Sequence, residues 1–265
     1  MKWPNTLTIV RHGESEYNAL RARKIADPLY QAFQKAYTRR KQEPALAREL
    51  AQSIHDSGEF ALHSGDHDTA LNRTGQRQAR ETGQRLAELI DIPDIIFVSP
   101  YDRAHQTLEQ MTRGWPALRK VRTVEEERLR EQEHGLALIY HDWRIFHILH
   151  PEQEQLRDEE GAYWYRYPQG ENVPDVRERL RSWLGAIARD YSERNVLAVT
   201  HHLSILALRA NLERLDEHQF TELDEGPSQQ KPINCGVTIY RGMPDEGQDG
   251  HLVLTDYNRR LYGPD

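Results

Sequence analysis

Short apolar runs alternate with longer segments of helical period along this chain. Thr6 to Val10 (TLTIV), Ile95 to Ser99 (IIFVS) and Asn195 to Thr200 (NVLAVT) are apolar at consecutive positions, and a charged turn, Pro100 or a histidine pair closes them. Runs of this length with no polar alternation are predicted to be parallel strands covered on both faces. Between them, residues 74–90, 101–113, 173–191 and 203–215 place apolar or small residues at helical spacing, with Thr74 as the expected N-cap of the first. Strand followed by helix, repeated, predicts an α/β fold built on a mostly parallel sheet. Two late runs, 236–241 and 252–255, are read as edge strands.

Two segments break this rhythm. Residues 19–67 are rich in Arg, Lys, Gln, Glu and Ala, with Tyr30, Phe33 and Tyr37 at helical spacing, and are read as one or two helices of an inserted cap. Residues 137–168 are dense in Trp, Tyr and His, as a buried insert core or a partner surface would be. Neither has linker composition, so the expected organisation is one domain, 1–265, with insertions at about 19–67 and 137–168.

Composition narrows the function classes. Lys plus Arg number 35 against 42 Asp plus Glu, a net charge of −7, which disfavours non-specific binding to nucleic acid or an anionic membrane. An anionic substrate must therefore meet placed arginines. Cys235 is the sole cysteine, which excludes an intrachain disulfide and a CxxC zinc pair. No apolar leader segment opens the chain, and no run approaches the ~18 apolar residues of a membrane span, so the expectation is a cytoplasmic protein.

Four constellations carry possible chemistry. Arg11-His12-Gly13-Glu14-Ser15 follows the first strand, where ligands bind in parallel sheets, and Gly13 would let backbone approach a ligand. The alternative is a polar surface turn. Ser99 to Thr107 (SPYDRAHQT) puts Arg103 in the first turn of a helix, either gripping phosphate oxygens or simply exposed. Leu129 to Gly135 (LREQEHG) offers Glu131 and Glu133, one a possible general acid, or both part of a solvated acidic run. Thr200-His201-His202 again joins strand to helix. Adjacent strand residues point to opposite faces, which argues against both imidazoles ligating one metal ion.

Taken together with Asp68 to Gly75 (DTALNRTG) followed by Gln78-Ala79, and with Tyr167 to Asn172, Asp175 and Arg179, these segments resemble the histidine phosphatase superfamily of phosphoglycerate mutase-like folds. RHGESEYN (11–18) resembles that family's nucleophile motif, DTALNRTG its D-x-x-L-[TN]-x-x-G segment, SPYDRAHQT its S-x-x-x-R-A-x-x-T, and VTHH its V-[ST]-H-G. The resemblance implies a three-layer α/β/α sandwich with a helical cap. It implies His12 as the nucleophile that becomes phosphohistidine, with Glu131 as the proton donor aligned two residues after Leu129. Arg11, Arg103 and His201 would surround the phosphoryl oxygens; Asn18 is a further candidate for binding substrate, as is His202, which either narrows the pocket, donates another hydrogen bond or points away. No metal or other cofactor is implied, because fixed cations take the place of Mg²⁺.

The chain departs from the pattern in two places. His202 stands where the family usually has Gly, and the mutases' short F-x-G-W-x-D segment is replaced by 19–67. Gly161 to Pro168 (GAYWYRYP) resembles a group of plant and fungal mutase-like proteins. The expectation is thus a phosphomonoester hydrolase acting on a small phosphorylated metabolite. A phosphoglycerate-type phosphomutase and a non-catalytic phospho-ligand or protein-binding module are the alternatives. Arg21, Arg23, Lys24 and Tyr30 are the cap residues considered as substrate contacts. Oligomeric state is left open.

Overall fold

The computed structural model describes residues 2–62, 64–226, 231–244 and 250–263. In chain order the elements are β1 (Thr6–Arg11), α1 (Glu16–Ala26), α2 (Pro28–Thr38), α3 (Pro44–Ser57), α4 (Arg73–Leu86), β2 (Ile95–Val98), α5 (Asp102–Gly114), β3 (Arg122–Glu125), α6 (Trp143–Leu149), α7 (Pro151–Glu160), α8 (Val173–Asp190), β4 (Asn195–Thr200), α9 (His202–Leu212), α10 (Glu217–Glu225), β5 (Val237–Met243) and β6 (His251–Arg259). The chain divides into two compact units. The first comprises 1–15, 67–131 and 175–265, and the second comprises 16–66 and 132–174.

In the first unit a six-stranded sheet has the order β3-β2-β4-β1-β5-β6. The first four strands in that order run parallel, while β5 and β6 are antiparallel additions. The apolar runs fill the middle: all four residues of β2 and five of six in β4 are buried, which is why they show no polar alternation. Successive side chains go to opposite faces. Ile96 and Val98 join Leu86, Ala104 and Met111 of α4 and α5, whereas Phe97 meets the Trp183 ring of α8 edge-on at 5.6 Å. Helices thus cover both faces, and the fold is the three-layer α/β/α sandwich.

Three expectations need correction here. Residues 236–241 do not form an edge strand: β5 lies between β1 and β6. The true second edge, β3 (RTVE), went unpredicted because Val124 is its single apolar residue, and backbone pairing to β2 alone makes it a strand. The N-cap of α4 is Asn72, not Thr74, because its side chain accepts the Gly75 N–H at 2.8 Å.

The second unit is helical. Where one or two helices were expected within 19–67, three form. Pro28 and Pro44, lacking an N–H, serve as first-turn residues and divide the segment. Tyr30, Phe33, Ala47, Ala51 and Ile54 form a core with Ile145 of α6, and Phe146, Tyr165 and Tyr167 form a second cluster. Most of the aromatic segment is therefore core, although Trp164 stays half exposed. Lys24 and Tyr30 are not surface contacts: both are buried and bind Asp142, the ammonium at 2.8 Å. Arg21 and Arg23 are exposed. No helix among the described residues is long and apolar enough to cross a membrane.

Candidate active site

β1 delivers Arg11 and His12 to the carboxyl end of the sheet, with Arg11 in register with Thr200 of β4 and the His12 N–H donating to the Thr200 carbonyl at 2.9 Å. The His12 ring is buried, and its Nδ1 lies 2.8 Å from the Gly13 carbonyl oxygen. A carbonyl only accepts, so a neutral ring carries its proton on Nδ1 and keeps the lone pair on Nε2. The Asn234 side chain donates to the His12 carbonyl at 3.1 Å.

The turn after His12 is clamped by the 68–79 segment and by α5. The Gly13 N–H donates to Thr107 Oγ1 at 2.9 Å, and that hydroxyl donates to the Arg103 carbonyl at 2.6 Å. Glu14 accepts from the Asn72 side chain at 2.6 Å, its N–H donates to Gln78 Oε1 at 3.1 Å, and Ser15 bridges Leu71. Gly13 is needed for a reason other than ligand approach: a Cβ there would lie 2.6 Å from the Gly75 carbonyl oxygen. Gly75 is under the same constraint, since its Cβ would stand 2.1 Å from the Glu14 carbonyl oxygen. The two motif glycines let the His12 turn and the first turn of α4 touch backbone to backbone.

His201 follows β4 and is fully buried, its ring centroid 5.1 Å from that of His12. Its Nε2 pairs with Ser99 Oγ at 2.7 Å, while Nδ1 is a buried nitrogen with no hydrogen-bond partner among the described residues. Arg103 is the second residue of α5 and is buried. The Arg11 guanidinium donates to the Pro232 carbonyl at 2.7 Å. His202 turns elsewhere and pairs with Asp224 of α10 at 3.3 Å, so the two adjacent imidazoles serve different partners. Ser99, Thr107 and Asn234 were not singled out from the sequence. Ser99 and Thr107 were visible only as the polar ends of the SPYDRAHQT segment.

Glu131 is fastened to the start of α9. Its carboxylate accepts the Leu203 N–H at 3.1 Å, two residues beyond His201. Thr200 Oγ1 donates to the Leu129 carbonyl and Ser204 Oγ to the Arg130 carbonyl, both at 2.6 Å. Arg179 of α8 donates to the Arg128 and Glu131 carbonyls at 2.6 and 3.1 Å. Glu133 belongs to the second unit, where its backbone pairs with Glu171. Asn18 is also in the second unit, half-buried on α1.

The electrostatics of the first unit's cluster are one-sided. Burial, then the charges of Arg103 and Arg11, hold the His12 imidazole well below its usual range. Burial and Arg103 act on His201 in the same direction. Both rings are therefore neutral near pH 7, in a pocket whose dominant nearby charges are positive. Such a pocket suits an anion and offers it a nucleophilic nitrogen. Among the described residues, no group of three or more His, Cys, Asp or Glu is arranged to hold a metal ion.

The sequence profile of the histidine phosphatase superfamily (branch 1) matches residues 57–241, well over half of the chain. The chain belongs to the histidine phosphatase superfamily. That span includes Arg103, Glu131, His201 and His202, and it begins after Arg11 and His12. The chain is 30% identical over 169 residues to the phosphoglycerate mutase-like protein AT74H of Arabidopsis thaliana, covering 56% of this chain and 57% of that protein. It is 31% identical over 163 residues to the uncharacterized phosphatase PhoE of Bacillus subtilis (strain 168), covering 60% of this chain and 73% of that one. The chain spans about half the length of the Arabidopsis relatives it matches. In fold it is similar to a mycobacterial glucosyl-3-phosphoglycerate phosphatase whose structure was solved with VO3, at a TM-score of 0.60 and 21% identity, covering 96% of this chain and 99% of that one.

Proposed function

We propose that this superfamily member is a phosphomonoester hydrolase that works through a phosphohistidine on His12, without a resident metal, on a small phosphorylated metabolite. The observation that carries the reading is the neutral His12 ring, with Nδ1 occupied by Gly13 and Nε2 left as the lone pair, beside Arg11, Arg103 and His201. Nε2 attacks phosphorus in line with the ester oxygen. The N–P bond forms as the P–O bond breaks, and the departing electron pair takes a proton from Glu131. Water then attacks the phosphohistidine and returns its proton to Glu131; inorganic phosphate leaves and the imidazole is restored. Arg11 and Arg103 neutralise the phosphoryl oxygens, and His201 adds a hydrogen bond. In this reading 1–265 is one catalytic domain, with 16–66 and 132–174 inserted into it.

A phosphomutase is the second reading, favoured by the mutase-like name of the Arabidopsis relative. It differs in how long the phosphohistidine survives against water.

The test is phosphate release in EDTA from a chromogenic phosphomonoester and a panel of sugar, nucleotide, glycerate and inositol phosphates, with His12→Ala alongside. Release by wild type and a loss of at least about 10³-fold in the variant are expected. Equal release by both proteins would overturn the mechanism. Product isomerised only after priming by a bisphosphorylated compound would select the mutase.

A further inference from the structure

Arg103 poses a physical problem. It is a long, flexible side chain held buried beside two imidazoles, and its guanidinium must keep a fixed place to grip a phosphoryl group. Tyr101 is one group that holds it. The Arg103 guanidinium carbon lies 4.6 Å from the centroid of the Tyr101 ring. The negative face of an aromatic ring holds a cation in place without neutralising it. The same ring meets His201 nearly edge-on, with centroids 5.0 Å apart and planes at 66°. The His67 ring also packs against it, with centroids 5.1 Å apart, and Tyr101 is only 8% exposed.

The backbone of Tyr101 is tied to the same groups. Its N–H reaches Ser99 Oγ at 3.5 Å, the hydroxyl that pairs with His201. As N-cap of α5 it accepts the Ala104 N–H at 2.8 Å, and this sets the turn from which Arg103 projects. Ring and backbone thus act on two of the groups assigned to the phosphoryl oxygens.

We propose that Tyr101 is a positioning residue for phosphoryl binding, its ring holding the Arg103 guanidinium and the His201 imidazole in the geometry that grips the phosphate. The inference rests on the proposed roles of Arg103 and His201. It assigns a function to the ring, not to the hydroxyl.

Tyr101→Phe, Tyr101→Leu and a ring-fluorinated phenylalanine at position 101 separate these contributions. Fluorination keeps the shape of the ring but drains its face, so that protein folds even where the Leu variant does not. Hydrolysis of p-nitrophenyl phosphate and binding of orthovanadate are the readouts. Phe is expected within about twofold of wild type. Leu and the fluorinated ring are expected to lose about tenfold in kcat/KM and in vanadate affinity. In an Arg103→Ala background the loss should shrink to about twofold, because a residue acting through Arg103 has nothing left to position. Equal activity of the Leu and Phe proteins, or an undiminished loss in the Arg103→Ala background, overturns the proposal. If wild type neither hydrolyses the ester nor binds vanadate, the functional reading fails. The positioning claim is then decided by the Arg103 Nε–H resonance, which should be sharp in the Phe protein and broadened in the fluorinated one; identical signals reject it.

Discussion

Each unit buries charge-capable side chains, and the two do so by opposite rules. In the second unit, the Lys24 ammonium donates to Asp142 at 2.8 Å and to the His141 carbonyl at 3.0 Å, and Tyr30 donates to the same carboxylate. Asp142 also caps α6 by accepting the Arg144 N–H at 2.9 Å. Donors and acceptors are matched, and the cluster holds α1, α2 and α6 together. In the first unit, His12 and His201 lie side by side under the influence of Arg103 and Arg11, and His201 keeps a buried nitrogen with no partner among the described residues. Matched charge is structure, whereas two buried neutral imidazoles under the influence of arginines make a pocket that suits an anion.

The largest effect expected from breaking this contrast is in the second unit. Asp142→Leu strands the Lys24 ammonium and should cost about 3–5 kcal/mol in urea denaturation, while Lys24→Met with Asp142→Leu recovers most of that loss. A double variant as unstable as the single one would show that the pairing is not what matters. In the first unit, Arg103→Ala should lower kcat/KM about 10²–10³-fold with a smaller change in melting temperature than Asp142→Leu, since it removes charge that the proposed reaction uses. A large stability loss without that kinetic loss would make Arg103 structural.

Gly75→Ala comes next. Its methyl would press on the Glu14 backbone, so a cost of about 1–3 kcal/mol is expected, together with slower phosphate release from a displaced His12 turn. Gly185→Ala in α8, where a Cβ meets nothing within 4 Å, is the control and should be neutral or stabilising.

The smallest effect is spread over pH. Burial, then Arg157 and Arg40, lower His147 of α6 to about 4. Unfolded imidazoles take up protons near about pH 6.5, so between about 6.5 and 4 the unfolded chain holds more protons than the folded one. This contribution to stability is complete above about 6.5 and is lost as pH falls towards 4. His12 and His201 shift in the same direction. His147→Phe should flatten the acid slope in thermal melts from pH 7 to 4, and an unchanged slope would assign it to other groups.

Particular residues mark how far sequence reading reached. Arg11, His12, Arg103 and His201 were readable because each stands where a strand ends and a helix or turn begins, so local order alone fixes its place. Glu131 was separated from Glu133 by alignment with the resembled family, and the Leu203 hydrogen bond ties it to the same helix start as His201. Ser99, Thr107 and Asn234 escaped notice because their partners are 102, 94 and 222 residues away. β3 escaped because strand pairing needs no apolar pattern of its own.

By itself the sequence determined the buried parallel strands, the helices between them, the family, and the positions of two arginines and two histidines. These are properties of local period and residue order. The tertiary structure alone decided which ring nitrogen of His12 is free, why Gly13 and Gly75 must both lack a side chain, and that Lys24 answers to Asp142. Those depend on atoms brought within a few ångströms across long stretches of chain, a distance that no local pattern encodes.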